Sequence, residues 1–533
     1  MSKDLGDFQT PPALVKAILN WLQNRGKNWT RVLEPTCGQG NFIAGVVEVA
    51  TPPLEVQGIE IQPLYIEKAN NLFQQATGSR VTITQANLFD LNLEYDLTWA
   101  EKGPLLVIGN PPWITNTELS TLKSSNLPKK TNLKNLTGFE AMTGSSNFDI
   151  AEFIWLKLLR EFANEQAIIA LLCKTIVARN VLQFAANTKL PIGNAAIVNI
   201  NAKKWFGVDA DACLFYLEIN PNEQSYQAQI YDNLDSFVST STIGFIGGQL
   251  VSNVQRSAVL DSLDGTSPVM WRQGIKHDAA PVAELIIDSS GQLHNKLGQT
   301  VNVESEYVYP LLKGSDLGGK SKIKPKRAVI VPQRKIGEDT AQLTYKAPLL
   351  WAYLNANRGM FEQRKSSIYD KQPDFAFFGI GEYSFAPFKV AISGFHKTPI
   401  FRVVISIEDK AVMLDDTCYF LPCNSYTQAL LIASLLNSPL CLELINSITF
   451  WDAKRPITKK LLQRIDLLAL LKQEKREDLM TRIGFELIRL QDFTVSKATL
   501  STIQSLSLSD LEGLISGQLL ETTHIRKPVL QTI

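Results

Sequence analysis

The residues best suited to chemistry form the sequence GNPPW at positions 109–113, directly after the apolar run PLLVI. Proline fixes its own φ, lacks a backbone N–H and pushes the preceding residue into an extended conformation. Asn110 and Pro111 are therefore expected in a stiff loop that leaves the end of a strand. In such a loop the Asn110 side-chain carbonyl and the Pro111 backbone carbonyl can accept hydrogen bonds from one exocyclic amino group.

This arrangement would activate an amino nitrogen attached to a base ring. Such a nitrogen is a poor nucleophile because its lone pair is delocalised into the ring, and two acceptors would draw it toward tetrahedral geometry and free the pair. A planar base can also stack on Trp113. Activation would come from orientation rather than from covalent attack. We therefore predict a catalytic loop of Asn110, Pro111, Pro112 and Trp113.

A glycine turn precedes this loop in the stretch VLEPTCGQGNFI, residues 32–43. Gly38 and Gly40 would let the backbone approach a ligand at the start of a helix, and Glu34 at the strand end can accept a hydrogen bond. Because Ile43 stands where a third glycine would be, the fingerprint for nicotinamide dinucleotides is incomplete. The same two glycines also suit an ordinary tight turn.

Two more strand ends carry polar side chains. Glu60, in the stretch GIEIQP, ends the next strand twenty residues after Gly40, where a doubly wound nucleoside site holds a ribose diol. The stretch ANLFD places Asn87 and Asp90 near an adenine ring. Each of these side chains alone suits a solvated strand end, but together they outline a pocket shaped for adenosine.

Strands and helices alternate over the first 220 residues. Short apolar runs predict strands at 31–35, 54–61, 80–88, 104–110, 167–173 and 212–219. Helical spacing occurs at 41–50, 62–76 and 148–165. This alternation predicts an α/β fold with a doubly wound, largely parallel sheet, whose ligands bind at the carboxyl ends of the strands. The polar stretch at 114–147 is far longer than an ordinary connection, which is typical of functional loops.

In this order, VLEP-x-x-G-x-G-x-F, GIEIQP and NPPW resemble the amino-methyltransferases that use S-adenosylmethionine, and most closely the gamma-type adenine-N6 DNA methyltransferases of restriction-modification systems. The resemblance implies a Rossmann-like class I methyltransferase sheet and S-adenosylmethionine as the cofactor. It also implies double-stranded DNA as the substrate, with methyl transfer to the N6 amino group of a flipped-out adenine.

Other segments match the same family. FQTPP resembles the motif that binds the methionine end of the cofactor, which gives Thr10 that role, and NFDIAEFIW resembles the helix whose Phe153 packs near the cofactor. KKWFGVDADACLFYL resembles the segment whose phenylalanine, here Phe206, touches the flipped base. The chain departs from the family at Asn87, where an aspartate is usual, and at Trp113, where tyrosine is commoner; an amide oxygen still accepts hydrogen bonds and an indole still stacks.

The family order of cofactor motifs, catalytic loop and recognition domain implies a methyltransferase domain at 1–245, a DNA-recognition domain at 246–465 and a C-terminal helical segment at 466–533. After about residue 245 aromatic-rich strands and Gly/Pro turns indicate an α+β domain. Residues 301–400 hold 15 Lys and Arg against 9 Asp and Glu, a surplus that suits a nucleic-acid surface. The candidate DNA contacts are Lys276, His277, Lys397, Lys454 and Arg455.

The composition of the 533 residues, with 45% hydrophobic and 20% charged side chains, is typical of a soluble globular chain. Residues 1–12 lack an apolar signal region, and no window has the roughly 18 to 20 apolar residues of a membrane span, so we expect a cytoplasmic protein without a membrane partner. The cysteines form no C-x-x-C pair and are expected as reduced, buried thiols. The four histidines are isolated in the sequence, which predicts no metal site.

The sequence allows several alternative activities. The same NPP chemistry serves methyltransferases that act on RNA or protein glutamine, and a non-catalytic DNA-binding subunit would keep the fold. Adenine is chosen over cytosine N4 because the cytosine enzymes more often begin the motif with serine where this chain has Asn110. The sequence is consistent with a separate restriction endonuclease as a partner and with a solitary modification enzyme.

Overall fold

The computed structural model describes residues 9–49, 54–73, 79–114, 149–318, 325–490 and 493–518. These residues form two compact units, of which the first ends at Gln255 and the second begins at Arg256. The long polar stretch predicted to be a functional loop lies outside the described residues from position 115 onward, as do Phe8 of the FQTPP motif and the first two residues of NFDIAEFIW.

The first unit is built from strands β1–β10 and helices α1–α7. The strands are Arg31–Glu34, Leu54–Glu60, Ser79–Gln85, Leu105–Gly109, Ala167–Lys174, Ile192–Asn201, Asp211–Ile219, Ala228–Tyr231, Ser241–Ile246 and Gln249–Val251. The helices are Pro12–Asn24, Asn41–Val49, Pro63–Phe73, Leu93–Asp96, Ile150–Glu161, Thr175–Thr188 and Ala202–Phe206.

These strands form one sheet in the order β3-β2-β1-β4-β5-β7-β6-β8-β9-β10. Strands β1 to β5 are parallel, and β7 pairs antiparallel with both β5 and β6. From β1 the chain adds β2 and β3 on one side, and it then returns to add β4 and β5 on the other side of β1. The order of the strands thus reverses between β1 and β4, which is the switch point where such sheets bind ligands. The predicted doubly wound, Rossmann-like sheet is therefore confirmed, with an antiparallel extension beyond β5.

The inner parallel strands β1, β2, β4 and β5 are covered on both faces, which explains why they are mostly apolar without strict alternation. Every residue of β4 is buried, and β5 is buried up to its last residue, Lys174. On one face α1 turns its apolar side inward, because Leu14, Ile18 and Leu22 recur at helical spacing and are fully buried. The packed sheet holds the strand ends in fixed positions relative to one another.

The second unit contains strands β11–β19 and most of the remaining helices. The strands are Arg272–Gln273, Glu284–Ile287, Leu293–Asn295, Val308–Leu312, Arg327–Ile330, Phe388–Ser393, Arg402–Ile405, Met413–Leu414 and Cys418–Cys423. Helices α8–α19 are Val254–Val259, Ala280–Ala283, Leu343–Lys346, Pro348–Ala356, Arg358–Glu362, Tyr426–Leu436, Pro439–Ile448, Lys459–Gln463, Leu467–Gln473, Arg476–Leu490, Phe493–Ser505 and Leu508–Ile515.

Two sheets organise the second unit, in the orders β11-β19-β16-β17 and β13-β12-β15-β14-β18. Helix α13 packs on β16 and against α16, α17 and α19, so the helices after residue 466 belong to the same compact unit as the strands. The predicted α+β character with C-terminal helices is confirmed. The domain limits predicted at residues 245 and 465 stay a prediction.

All six cysteines lie in the described part of the chain, and each is a buried free thiol. By length and hydropathy, no single helix within the described ranges qualifies as a membrane span; α13 and α14 qualify only when they are taken together, as a pair bent by 60°.

Candidate active site

A cavity of about 330 Å³ lies in the first unit at the carboxyl ends of β1, β2, β3 and β4. It is within the size range of small-molecule sites. The predicted site residues that line it are Thr10, Glu34, Gly38, Glu60, Asn87, Asn110 and Pro112. Parallel strands end at one edge of a sheet, which is why side chains from distant parts of the sequence meet here.

The glycine turn forms one wall of this cavity. Gly38 has φ +52° and Gly40 has φ +82°, conformations that residues with a Cβ rarely adopt. A Cβ at Gly38 would lie 2.9 Å from Gln9 Nε2, because the N-terminal segment packs directly on the turn. The backbone N–H of Gln39 donates to Gln9 Oε1 at 3.3 Å. The turn and the segment that carries Thr10 are thus held together.

Glu60 connects the glycine turn with the end of β2. One carboxylate oxygen accepts the backbone N–H of Gly38 at 2.8 Å, and the other accepts those of Ile61 at 2.9 Å and Gln62 at 2.8 Å. Only 7% of Glu60 is exposed. Backbone donors therefore fix this carboxylate in place at the cavity wall, where the sequence predicted the contact with a ribose diol.

A second carboxyl group, Glu34, lies in the cavity wall at the end of β1. Burial raises its pKa well above the ordinary value, a backbone hydrogen bond from Ile43 acts in the opposite direction, and the nearby charge of Glu60 raises it further. Among the described residues that line the cavity there are two carboxyl groups and no basic side chain. A ligand that carries positive charge would relieve this imbalance.

Buried polar atoms of the cavity wall that have no hydrogen-bond partner among the described residues include Thr10 Oγ1, Glu34 Oε2 and Thr36 Oγ1. Leaving a buried polar group without a partner costs about 1–3 kcal/mol, so such groups call for a ligand or water. S-adenosylmethionine carries a sulfonium, an amino group and several hydrogen-bonding atoms. The acidic wall and its unsatisfied oxygens fit this cofactor.

The predicted catalytic loop borders the cavity where β4 ends at Gly109. Asn110 and Pro112 line the cavity and Pro111 is buried. Trp113 is only 7% exposed; its Nε1 donates to the carbonyl of Leu172 at 3.4 Å. The loop is therefore supported by the neighbouring strand β5.

The structure brings Trp113 together with Phe206, the residue predicted to touch the target base. Their rings meet edge to face with centroids 5.4 Å apart. Phe206 ends the short helix α7, which follows β6. Trp113 and Phe206, which separate motifs assigned to base contact, are thus neighbours. Neither ring is among the residues that line the cavity.

The end of β3 differs in part from the prediction. Asn87 lines the cavity, but its side-chain oxygen accepts the backbone N–H of Phe89 at 3.1 Å and so caps the following 3-10 turn. Asp90 is exposed and does not line the cavity. Phe89 does line it and packs edge to face on Phe153 at 5.1 Å, so Phe153 reaches the site through another ring.

Sequence reasoning missed two residues that hold the catalytic loop, Lys174 and Asp149. Lys174 Nζ donates to the carbonyl of Trp113 at 3.3 Å and to Asp149 Oδ2 at 2.8 Å. A signal was available, since Lys174 is the polar residue at the carboxyl end of the apolar run AIIALLC, where ligand sites of such sheets form.

The predicted DNA contacts of the second unit fall into two groups. Lys276 pairs with Asp278 at 3.4 Å. His277 is 6% exposed; its Nδ1 accepts the N–H of Ala279 at 3.2 Å and its Nε2 lies 3.5 Å from Glu284 Oε1. Both ring nitrogens of His277 thus have partners inside the fold, and the side chain is not accessible to a nucleic acid in this structure.

Arg455, Lys397 and Lys454 form the other group, together with Phe395. The Arg455 guanidinium lies over the Phe395 ring, 4.6 Å from its centroid, and Phe395 is 38% exposed. Lys397 and Lys454 are exposed. Within the part of the chain that the structure describes, no carboxylate pairs with any of the three cations, and Arg455 makes no hydrogen bond.

Gly318 lies near the same place. It passes so close to His396 that a Cβ there would lie 2.7 Å from the ring carbon Cε1. The segments around residues 318, 395 and 455 are therefore neighbours in the fold.

Among the described residues, no group of three or more His, Cys, Asp or Glu side chains is arranged to hold a metal ion.

Comparisons with known proteins bear on this site and this fold. No protein-family model matches the chain. The type II methyltransferase M.NspV from Nostoc sp. is 36% identical over 472 residues, which cover 88% of this chain and 97% of that protein.

Solved structures extend the comparison to the fold. The structure of the type IIL restriction-modification enzyme MmeI in complex with DNA matches with a TM-score of 0.50 and 12% identity, over 96% of this chain and 75% of that one. A class I S-adenosylmethionine-dependent methyltransferase from Listeria monocytogenes is a more distant match, with a TM-score of 0.30 and 14% identity over 43% of this chain and 67% of that one.

The long, 36% identical alignment with M.NspV confirms the family to which the sequence motifs pointed. The chain belongs to the type II methyltransferases of restriction-modification systems, and its cofactor is S-adenosylmethionine.

Proposed function

We propose that this protein transfers the methyl group of S-adenosylmethionine to the N6 amino group of adenine in double-stranded DNA. The observation that carries the proposal is that Asn110, at the end of β4, lines the same cavity as the carboxyl groups of Glu34 and Glu60. The cofactor site and an amide suited to bind an amino group are therefore one continuous site.

Within this proposal, the cofactor is held by the glycine turn at Gly38 and Gly40, by Glu60, and by the unsatisfied oxygens of Thr10 and Glu34. Asn87 would face the adenine of the cofactor with its amide nitrogen, since its oxygen already caps the 3-10 turn. S-adenosylmethionine supplies a methyl group on a positively charged sulfur, which leaves as a neutral thioether.

The chain's own part in the reaction is to orient the amino group that accepts the methyl. The Asn110 side-chain oxygen and the Pro111 backbone oxygen would each accept one N–H of that group, so that its lone pair points away from the base plane. The nitrogen forms the new N–C bond with this pair and releases one proton to solvent. Because Pro111 and Pro112 have fixed φ angles, the two acceptors need little reorganisation during the reaction.

An adenine inside a duplex cannot reach a cavity at a strand end, so the proposal includes flipping of the target base. Phe206 and Trp113, whose ring centroids lie 5.4 Å apart, would contact the flipped base. Trp113 must then expose more of its ring than the 7% seen here.

For DNA binding we propose the surface formed by Phe395, Lys397, Lys454 and Arg455, with Lys276 as a further contact. Surface cations without a carboxylate partner among the described residues suit phosphate oxygens, and the guanidinium of Arg455 lies over the Phe395 ring. We do not include His277, because its ring nitrogens are occupied and buried. Residues 246–465 would form the recognition domain, residues 1–245 the methyltransferase domain and residues 466–533 a helical segment.

The proposal also concerns the biological setting. A restriction endonuclease on a separate chain would recognise the same DNA sequence, and methylation would protect that sequence from it. Both reactions would take place in the cytoplasm, where the DNA is.

The proposal is tested by incubating the protein and S-adenosylmethionine carrying a deuterated methyl group with unmethylated genomic DNA, total RNA and a protein extract in separate reactions. We expect deuterated N6-methyladenine in the DNA by mass spectrometry of the nucleosides, and no label in RNA or protein. Label in N4-methylcytosine would show that the target base is cytosine and not adenine. Label confined to RNA or protein would contradict the proposed substrate, and cofactor binding without any transfer would favour a non-catalytic subunit.

A further inference from the structure

Lys174 occupies a special place in the sheet. Strands β4 and β5 are parallel, with Gly109 beside Leu171, so the last three residues of β5 continue past the end of β4. They run alongside the catalytic loop, and Lys174 is the last of them. Its side chain is 28% exposed, and its ammonium group turns back toward the loop.

The ammonium of Lys174 joins two separate parts of the chain. It donates to the backbone carbonyl of Trp113 at 3.3 Å and to Asp149 Oδ2 at 2.8 Å. The other carboxylate oxygen of Asp149 accepts the N–H of Ala151 at 3.0 Å and caps helix α5. Lys174 therefore ties the end of the catalytic loop to the first turn of a helix.

The prolines do not restrain this end of the loop. They fix φ at positions 111 and 112, which leaves the backbone at Trp113 and Ile114 to be held by contacts. Among the described residues, the hydrogen bonds that hold it include those of Trp113 Nε1 with the Leu172 carbonyl, of the Trp113 carbonyl with Lys174, and of the Ile150 N–H with the Ile114 carbonyl at 3.0 Å. Of these, the contact with Lys174 is the one made by a charged group.

We propose that Lys174 is a positioning residue for methyl transfer. Through Trp113 and Asp149 it fixes the far end of the NPPW loop, so that the Asn110 and Pro111 oxygens stay aimed at the amino group. This inference rests on the proposed function for its kinetic consequence. Its structural consequence, an ordered loop at residues 109–114, is independent of the substrate.

The test compares wild type with Lys174→Met, Lys174→Arg and the control Lys27→Met. Lys27 pairs with Glu218 at 3.0 Å and is 31% exposed, so it matches the Lys174 ion pair in length and exposure but lies away from the loop. Two readouts are taken: hydrogen exchange of the peptide that covers residues 105–114, and kcat for DNA methylation together with the dissociation constant of S-adenosylmethionine.

We expect faster exchange at the Asn110, Trp113 and Ile114 amides in Lys174→Met but not in Lys27→Met. We expect kcat to fall about tenfold to 100-fold, because small misplacements of reacting groups have effects of this size, with cofactor affinity unchanged. Lys174→Arg keeps the cation and should recover most of kcat.

The inference is overturned if the backbone amides of residues 105–114 exchange hydrogen at the same rate in Lys174→Met as in wild type. It is equally overturned if kcat, cofactor affinity and melting temperature fall together and Lys174→Arg recovers none of them, as for a lysine needed only for folding. A wild type that transfers no methyl to DNA would count against the proposed function, whereas the exchange data would still decide the role of Lys174.

Discussion

The cavity of the first unit and the Phe395–Arg455 surface of the second unit are built in opposite ways. The cavity is acidic and buried, and its carboxylate Glu60 is fixed by three backbone N–H groups. The surface is basic, and within the described ranges Arg455 lies over the Phe395 ring without a carboxylate partner. The difference suits two tasks, since a reacting group must be fixed before the reaction whereas a DNA contact must remain accessible until DNA arrives.

The same contrast predicts how the two regions respond to mutation. A buried hydrogen-bonded group is costly to disturb, because its partners are left unsatisfied in a medium of low dielectric constant. An exposed cation contributes less and its effect is screened by salt. Changes at the cavity should therefore have large, specific effects, and changes at the surface should have smaller effects that depend on ionic strength.

The largest effect is expected for Asn110→Ala. Loss of one acceptor of the amino group should lower kcat by at least about 100-fold, which is the usual effect of removing a preorganised hydrogen-bonding group from an active site. Binding of S-adenosylmethionine, measured by calorimetry, should change little. Asn92→Ala is the control, because Asn92 caps α4 with its side chain but does not line the cavity. Equal activity of the two variants would remove Asn110 from the reaction.

A second prediction concerns Glu152, a buried residue of α5 that lies outside the cavity lining. Burial raises its pKa to about 7, a hydrogen bond from Asn180 lowers it, and the charge of Asp149 raises it. Because the pKa of Glu152 is higher in the folded state, the folded protein binds more protons at this position than the unfolded chain does. The resulting contribution to the free energy of unfolding is full below about pH 4.5 and is lost as pH rises through about 7.

Glu152→Gln removes this titration and keeps an acceptor for Asn180. Between pH 5 and 8 the wild type should lose up to about 3 kcal/mol of stability that the variant does not lose. Urea unfolding of both proteins at several pH values measures this difference. Parallel pH profiles of the two proteins would show that Glu152 is ionised throughout.

The third prediction uses two glutamates at the two ends of β2. Glu60→Gln replaces a carboxylate that accepts N–H groups at the cavity, and the dissociation constant of S-adenosylmethionine should rise about tenfold. Glu55→Gln is the matched control: Glu55 is 4% exposed and accepts the N–H groups of Ala100 at 2.7 Å and Glu101 at 2.9 Å. Both variants should have a lower melting temperature than wild type, but only Glu60→Gln should bind the cofactor more weakly. Weaker binding in both would mean that the effect is one of stability.

The smallest effect is expected at the surface. In a fluorescence titration, Arg455→Met should weaken DNA binding by at most about 1 kcal/mol, and for a phosphate contact the slope of log affinity against log salt should fall by about 1. Arg334 also lies on a ring, 4.0 Å from the centre of Phe385, but it is already paired with Glu382 at 3.2 Å. Arg334→Met should therefore bind DNA nearly as wild type does in the same fluorescence titration. An equal loss in both variants would make the effect one of net charge.

The strands around the cavity could be predicted from sequence because their apolar runs end in polar residues, glycine or proline. The strands predicted at 54–61 and 104–110 are observed at Leu54–Glu60 and Leu105–Gly109, so their bounds agree to within one residue. Each strand end also carried a residue that lines the cavity, such as Glu34 or Asn110. Local chemistry and position in the sheet agree here, so the motifs were informative.

Contacts that depend on register or on non-local packing could not be predicted in this way. The contact of Lys174 with Trp113 exists because β5 extends past β4, which the pairing of the two strands decides. His277 and Arg455 are both cationic candidates in the sequence, but only folding buries His277 beside Glu284 and leaves Arg455 on an exposed ring.

The central claim is that cofactor and target base meet at Asn110. The most direct test is a crystal structure of the protein with S-adenosylhomocysteine and a methylatable DNA duplex. We expect S-adenosylhomocysteine in the cavity beside Glu60 and a flipped adenine whose amino nitrogen donates hydrogen bonds to Asn110 Oδ1 and the Pro111 carbonyl. A cofactor bound elsewhere, or a target base whose amino group is turned away from Asn110, would contradict it.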